Sequence, residues 1–463
     1  MKMEDGSSFP AIHLSYIVGI NFSSSTTSLS PHCLIMKVLS PTETAVTSFS
    51  ASSTHSSGFE YDASDYVLSL TSSSDLSSGC VAAALSNQSI IQYDTITNKV
   101  VHRIESAHDR PISEICFFPP DYYGIGANGN APSNLFISAS QDGTVKLFDL
   151  RSRTASAAIT SKLQLPNEQA LTVSLGYGGT LAAVGTSKAR ISFFDFRYSS
   201  GSNRPSGQWM GNYVDAHTDE VTRVRFQTVI DPNSKQEKIV LATASEDGLL
   251  SIHDPSQPSE EAALVSILNI GSPLRGIAFF GPSYEGVCAL TGNETMSVWH
   301  WDSAQKISDC GGHELRGLLG NAVIGGNQRI EGDAVDYLVG CEWRAIPDNS
   351  TTAAEGAASP ALHLIAGNSQ GDGYIFRVDA NQISPIAHLK GGHKGCIRDF
   401  CWSNGKLITG GEDARICTWD MSSNNSNQST ERPASSSGKV RRDKSAKVGG
   451  CDAKGKKKFG SPY

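Results

Sequence analysis

No apolar run in this 463-residue chain reaches ten residues. That excludes a membrane-spanning helix, which needs about 20 predominantly apolar residues in succession. The first residues carry acids and lack a basic stretch ahead of an apolar block, so a secretory signal is not expected. The ten cysteines (Cys33, Cys80, Cys116, Cys288, Cys310, Cys341, Cys396, Cys401, Cys417 and Cys451) form no CxxC pair and no Cys/His group at zinc-ligand spacing. Most lie in apolar, strand-like runs, where a free thiol packs as a small hydrophobe. This suits a reducing compartment. Also missing are the nucleophile elbow GxSxG and a phosphate-cradling glycine loop placed after a strand. The string GIGANG at 124–129 is a glycine-rich insertion. The expectation is therefore no catalytic residue, no metal, no cofactor and no small-molecule substrate.

Apolar residues make up only 39% of the chain, and the shortage is local. Residues 22–79 are crowded with Ser and Thr, and residues 421–463 with Ser, Asn, Lys and Arg. The middle has an ordinary globular composition and can bury a large core. Charge is divided in the same way. The last 43 residues hold ten Lys or Arg against three acids, a net of +7, so the overall −8 leaves −15 on the remaining 420. An acidic body with a basic tail does not grip nucleic acid through its main fold, and any such contact belongs to the tail.

What the middle does contain is a repeat. Residues 135–149 read LFISASQDGTVKLFD, residues 240–254 VLATASEDGLLSIHD and residues 406–420 KLITGGEDARICTWD. Weaker copies begin at Cys80, Leu181, Val287 and Leu362, making seven. Period-two alternation marks half-buried strands, and Asp-Gly between two such runs is a strong hairpin signal. Ahead of several copies a small residue plus His precedes another strand: Ala107-His108, Ala216-His217 and Gly392-His393, with Gly312-His313 less well placed. Units of four strands framed by Gly-His and Trp-Asp are the signature of a WD40 blade. The final Asp residues, at 94, 149, 195, 254, 302, 379 and 420, keep roughly that period. Gly/Ala/Ser/Asn/Pro-rich insertions at 121–134 and 346–360 read as surface loops.

These signals predict an all-β fold, a seven-bladed WD40 β-propeller over 60–420 with disordered N- and C-terminal segments. Residues 1–59 form a Ser/Thr-rich, partly disordered segment. Residues 421–463 form a basic disordered tail. No strand follows Asp420, so the ring must be closed from the N-terminal side. The candidates are 32–39 and 44–51, and the second is preferred because strand 66–70 then opens blade one.

WD40 blades often contain a buried quartet of His, Ser/Thr, Trp and turn Asp. By this pattern the last blade is complete, with His393, Thr409, Trp419 and Asp413. Blades two and four match in part, with His108, Ser138 and Asp142, and with His217, Thr243 and Asp247. Phe148 and His253 occupy the Trp positions there. Asp413 is therefore expected to matter more for stability than Asp142. A His, Ser and Asp group invites a hydrolase reading. But the group recurs blade after blade, as structure does and an active site does not. By resemblance to WD40 propellers the residue before the turn Asp lies on the narrower face, which makes Gln141, Glu246 and Glu412 candidate partner contacts. The tail clusters Lys439, Arg441, Arg442 and Lys444, then Lys456, Lys457 and Lys458, suit nuclear import or nucleic-acid phosphate.

Four strings add a narrower resemblance: AHTDEVTRVRF (216–226), DAVDYLVG (333–340), GGHKGCIRDFCW (391–402) and LITGGEDARICTWD (407–420). They resemble the eukaryotic WD repeat-containing protein 89 family over about 66–420. The insertions at 121–134, 228–238 and 346–360 depart from that family's pattern. The resemblance implies a propeller with no known enzymatic site. The expected function is a non-catalytic scaffold for other proteins in a nuclear complex, shared in part with the cytoplasm. The alternative is a ribonucleoprotein or chromatin factor whose tail touches nucleic acid. A rival of another class, a propeller enzyme, requires carboxylates or His from several blades to converge on the channel.

Overall fold

The computed structural model describes residues 35–46, 65–73, 79–120, 122, 134–150, 159–165, 167–197, 207–231, 234–324, 328–329, 335–346, 359–379 and 382–421. The basic tail with its lysines and arginines, the first 34 residues and most of the two Gly/Ala/Ser-rich insertions lie outside them. So do the expectations of disorder placed on the termini.

Seven sheets, antiparallel in their core strands, follow one another along the chain. Blade one runs from Val67–Ser72 to Lys99–Ile104, and blade two from Ile112–Phe117 to Ile159–Gln164. Blade three runs from Ala170–Gly176 to Gln208–Tyr213, and blade four from Val221–Ile230 to Leu264–Asn269. Blade five runs from Leu274–Phe280 to Gln305–Gly311, and blade six from Tyr337–Arg344 to Ile383–Leu389. Blade seven contributes Ile397–Ser403, Lys406–Gly411 and Arg415–Asp420. The three clearest repeat copies each form two antiparallel strands around their Asp turn, as expected. All seven turns between second and third strands carry a residue with positive φ at the same place: Gln88, Gly143, Ala189, Gly248, Glu294, Gly371 and Ala414. Ala414, at φ 58°, holds a conformation that Gly143 and Gly248 adopt without a Cβ clash.

The ring closes at Glu43–Val46, which pairs antiparallel with Arg415–Asp420 as the fourth strand of blade seven. The other N-terminal candidate does something different. Ile35–Leu39 runs parallel to Ile383–Leu389 and adds an outer strand to blade six. Its leading residues also pair with Val323–Ile324, which forms a short hairpin with Gln328–Arg329, so this blade has seven strands. Met36 and Leu39 are buried, the first in a cluster with Leu315, Leu319 and Leu364, the second with Leu389 and Trp419. The propeller thus begins well before residue 60. An apolar run announces a strand but not the edge on which it docks.

Two further departures are local. Gly312-His313 opens no inner strand. It begins the helix Gly312–Asn321, whose Leu315 and Leu319 stand one turn apart on the buried face. The insertion at 228–238, a departure from the family's pattern, extends an existing pair of strands. The strands Val221–Ile230 and Glu237–Ser245 stay in register through Ile230 and Glu237, so the inserted residues lengthen a hairpin.

Candidate functional site

Three sets of polar side chains come together as the repeat pattern anticipates. In blade seven His393 Nδ1 lies 3.0 Å from Asp413 Oδ1 and Nε2 lies 2.8 Å from Thr409 Oγ1. Trp419 Nε1 donates to the same hydroxyl at 2.8 Å. In blade two His108 bridges Asp142 Oδ2 at 2.9 Å and Ser138 Oγ at 2.6 Å. In blade four His217 bridges Asp247 Oδ2 at 3.2 Å and Thr243 Oγ1 at 2.8 Å. The His side chains are wholly buried, and each Asp carboxylate also accepts a backbone N–H from the residue after its His: Asp109, Thr218 and Lys394. Burial works against a charged imidazole, and it holds His108 and His217 below their ordinary values. Burial also opposes charge on Asp142, but the hydrogen bonds from His108 and Thr144 outweigh it and keep the carboxylate well below the usual range. In blade seven burial opposes charge on His393 too, but Cys417 and Asp413 outweigh it and raise its pKa to about 9. A deprotonated Asp beside a His that is neutral in blades two and four and cationic in blade seven, with every hydroxyl engaged, anchors turns to strands. It exposes no nucleophile.

The expected difference between blades is not at the Asp. Asp142 accepts from His108, from Thr144 Oγ1 and from the N–H groups of Asp109 and Thr144, so its network is as full as that of Asp413. The difference is at the Trp position. Phe148 stacks on Phe136 with ring centroids 5.0 Å apart, and His253 sits by Tyr213 at 5.2 Å with neither ring nitrogen hydrogen-bonded among the described residues.

The proposed contact residues differ among themselves. Glu246 is exposed and its carboxylate has no ion pair among the described residues, while Glu220 and Asp219 crowd it. Burial and then those two acids push its pKa up. Glu412 is engaged by the Arg398 guanidinium. Gln141 is half-buried.

The sequence reading missed the channel. The inner strands of all seven blades surround one cavity of about 340 Å³. In every blade the pairing of the inner strand shifts register just before one residue: Ser69, Glu114, Thr172, Arg223, Gly276, Gly340 and Asp399. The cavity wall carries Glu114, Glu342 and Asp399 with Arg223, Arg225 and Arg275. Convergent carboxylates are what a channel enzyme requires, so their partners decide the question. Glu114 accepts from Thr172 Oγ1 at 2.5 Å, from Val173 N at 3.0 Å and from Arg225 Nη2 at 2.5 Å. Burial would raise its pKa, but the charges of Arg225 and Arg223 prevail and lower it. Asp399 accepts from Leu70 N at 2.7 Å and Phe400 N at 2.8 Å, although burial pushes it up to about 6. Glu342 stands 3.3 Å from Arg344 Nε, and burial raises it to about 7 against that cation. Glu114 and Asp399 are thus acceptors for a neighbouring blade's backbone. Among the described residues no His lines the cavity; of its two cysteines, Cys116 is pushed up to about 11 by burial and by Glu114, and Cys341 has a thiol pushed well above its ordinary value by burial and by Cys288. A signal for this wall exists in the sequence: a charge within an otherwise apolar inner strand, as in ISEICFF and CIRDFCW. Among the described residues no three His, Cys, Asp or Glu side chains group as a metal site.

Comparison with known proteins agrees with this geometry. The family model "WD domain, G-beta repeat" matches residues 98–149 and 383–420. A "WD repeat-containing protein 89 homolog" of Dictyostelium discoideum is 28% identical over 381 residues, covering 82% of this chain and 89% of that protein. The "WD repeat-containing protein GTS1" of Arabidopsis thaliana is 26% identical over 372 residues, covering 77% and 81% respectively. A chain in the "Crystal Structure of Mitotic Checkpoint Complex" superposes with a TM-score of 0.52 at 10% identity, covering 89% of this chain and 98% of that one, a likeness of fold.

Two variants test the networks. Thr409→Val leaves both His393 Nε2 and Trp419 Nε1 without a partner, so it should cost about 2–6 kcal/mol, taking about 1–3 for each stranded group. Ser138→Ala strands only His108 Nε2 and should cost roughly half as much in urea unfolding. Equal losses would mean that Trp419 gains nothing from the hydroxyl.

His253 supplies a pH test. Burial, then the nearby His217, lower its pKa to about 4, against about 6.5 in an unfolded chain. The unfolded state therefore binds the extra proton first as pH falls. Stability should drop from about pH 6.5 down to pH 4, by up to about 3 kcal/mol from this group. His253→Phe removes that contribution. The difference between variant and parent should grow in favour of the variant as pH falls through this window and stay constant above it. A pH-independent difference would reject the buried neutral imidazole.

Proposed function

From the premise that this chain is a WD40-repeat protein, a seven-bladed propeller similar to the WD repeat-containing protein 89 homologs, we propose that it is a non-catalytic scaffold for protein partners within a nuclear complex. The observation that carries this reading is the division of labour at the blade-four turn. The Asp247 carboxylate is held in the frame by His217, its side chain only 6% exposed, while Glu246 beside it is exposed, unpaired among the described residues and crowded by Glu220 and Asp219. Like charges held together at a surface are unfavourable until a cation approaches, so this turn favours a basic partner segment. The −15 carried outside the tail adds long-range attraction for the same kind of partner.

A nuclear location and a contact with nucleic acid are both assigned to the tail, where two basic clusters lie within 26 residues, 438–463. Basic runs of this kind suit import receptors or phosphate.

Glu246→Lys should not lower the unfolding midpoint of the propeller, because the carboxylate makes no ion pair among the described residues and stands against two like charges. It should deplete specific proteins from those that co-purify with the tagged parent, as quantified by mass spectrometry. An identical set of co-purifying proteins at parental abundance rejects this turn as a contact.

Deleting 438–463 should lower the nuclear fraction of a fluorescent fusion while the propeller stays folded. An unchanged nuclear fraction rejects the import role.

A further inference from the structure

Blades five and six meet at two cysteines. Cys288 lies in the second strand of blade five, fully buried, and Cys341 in the inner strand of blade six. Their sulfurs are 3.4 Å apart, and Cys341 also reaches Met296 Sδ at 3.9 Å. A disulfide bond is about 2.0 Å long, so the two atoms need approach by only a little over an ångström to link. The second observation is access. Cys341 is only partly buried, and it stands in the wall of the central cavity between Gly340 and Glu342, whereas Cys288 does not line that cavity. A cavity of about 340 Å³ admits a molecule of two heavy atoms without difficulty.

We propose that Cys288 and Cys341 form an oxidation site, at which a peroxide entering the channel cross-links blade five to blade six. The two thiols have distinct roles. Cys341, facing the channel, is attacked first. Its sulfur, as thiolate, displaces hydroxide from the peroxide; the O–O bond breaks, an S–O bond forms, and the thiol proton with the hydroxide makes water. The product is a sulfenic acid on Cys341. Cys288, at contact distance and without a solvent path of its own, then attacks that sulfur. The S–S bond forms, the S–O bond breaks, and a second water leaves with the Cys288 proton. Two thiols are oxidised and one peroxide is reduced to two waters. Burial keeps the Cys341 thiolate scarce, so the first step is slow and the site answers to sustained oxidant rather than to a brief pulse. The link would close the 53-residue separation between the two cysteines and tie together two blades that otherwise meet through side chains.

The test uses the full-length folded protein without substitution. It is incubated with hydrogen peroxide, its remaining thiols are alkylated under denaturing conditions, and the digest is mapped by mass spectrometry. The expected result is a linked pair of peptides carrying Cys288 and Cys341, released by dithiothreitol, with loss of both residues from the alkylated pool. In Cys341→Ser, a small change at the channel wall, the link should vanish and Cys288 should stay alkylatable after the same treatment. Recovery of both cysteines of the parent as free thiols, or of Cys341 as sulfinic acid with Cys288 unlinked, overturns the proposal. So does oxidation of Cys288 in the Cys341→Ser variant at the parental rate.

Discussion

The inner strand of each blade is an edge, and seven such edges face one channel. An edge strand leaves every second N–H without a ladder partner, and a buried orphan donor costs about as much as a lost hydrogen bond. In this propeller a side chain from the preceding blade supplies the acceptor. Asp399 of blade seven accepts from Leu70 of blade one, Glu114 of blade two from Val173 of blade three, and Thr172 of blade three from Val224 of blade four. In each case the acceptor is the residue at the register shift, and the donor is the residue just after the shift in the next blade. Ser174 repeats the device two residues on by accepting from Phe226 N. The irregularity in the strand is thus what turns a polar side chain toward the neighbouring blade.

Where the shift residue has no side chain to offer, another group takes over. Blades five and six carry Gly276 and Gly340. The junction between them is made by Glu294 from the blade-five turn, which accepts from Leu338 N at 2.5 Å and holds the Arg275 guanidinium. Between blades six and seven Tyr337 Oη accepts from Ile397 N at 2.6 Å. Closure then depends on both ends of the chain at once. Glu43–Val46 completes blade seven, and Tyr93 of blade one meets Thr418 Oγ1 of blade seven at 3.1 Å. The strand before it, Ile35–Leu39, fastens blade six, and Lys37 reaches across to the Met421 carbonyl at 2.8 Å. One N-terminal segment therefore spans the last two blades.

The parts of this fold that were legible in the sequence are those that follow a local period. The alternation of 144–149, the Asp-Gly turns and the His-to-Asp frame each sit within one hairpin or one blade, so seven sheets and three networks could be written down from the residues. The parts that were not legible depend on non-local partners. The apolar run at 32–39 reads as a strand, but its parallel pairing with Ile383–Leu389 depends on an edge more than 300 residues away. Gly312-His313 matches a motif of two residues and belongs to a helix, because Leu315 and Leu319 have a pocket beside Met36 to fill. The channel wall was missed because a register shift has no residue signature of its own, and the one trace it leaves is a lone charge within an apolar strand. Only Gly276 and Gly340 among the seven shift positions are glycine, and the rest are five different polar or charged types.

These observations bear on function by elimination of duties. Carboxylates converging on a channel resemble an active site until their lone pairs are assigned. Glu114 is taken by three donors and Asp399 by two backbone N–H groups, and both serve the junctions between blades. The His, the Ser or Thr, and the Asp of each network are likewise occupied in holding turns to strands. On the rim, Glu246 is exposed and its carboxylate makes no ion pair among the described residues. Buried polar groups engaged in closing the ring stiffen the frame, and rigidity lowers the entropy lost when loops on that frame meet a partner. The same economy explains why the two carboxylates least satisfied in the channel, Asp399 and Glu342, are the ones that burial pushes toward neutrality. An interior that cannot supply enough donors for a charge keeps the proton instead.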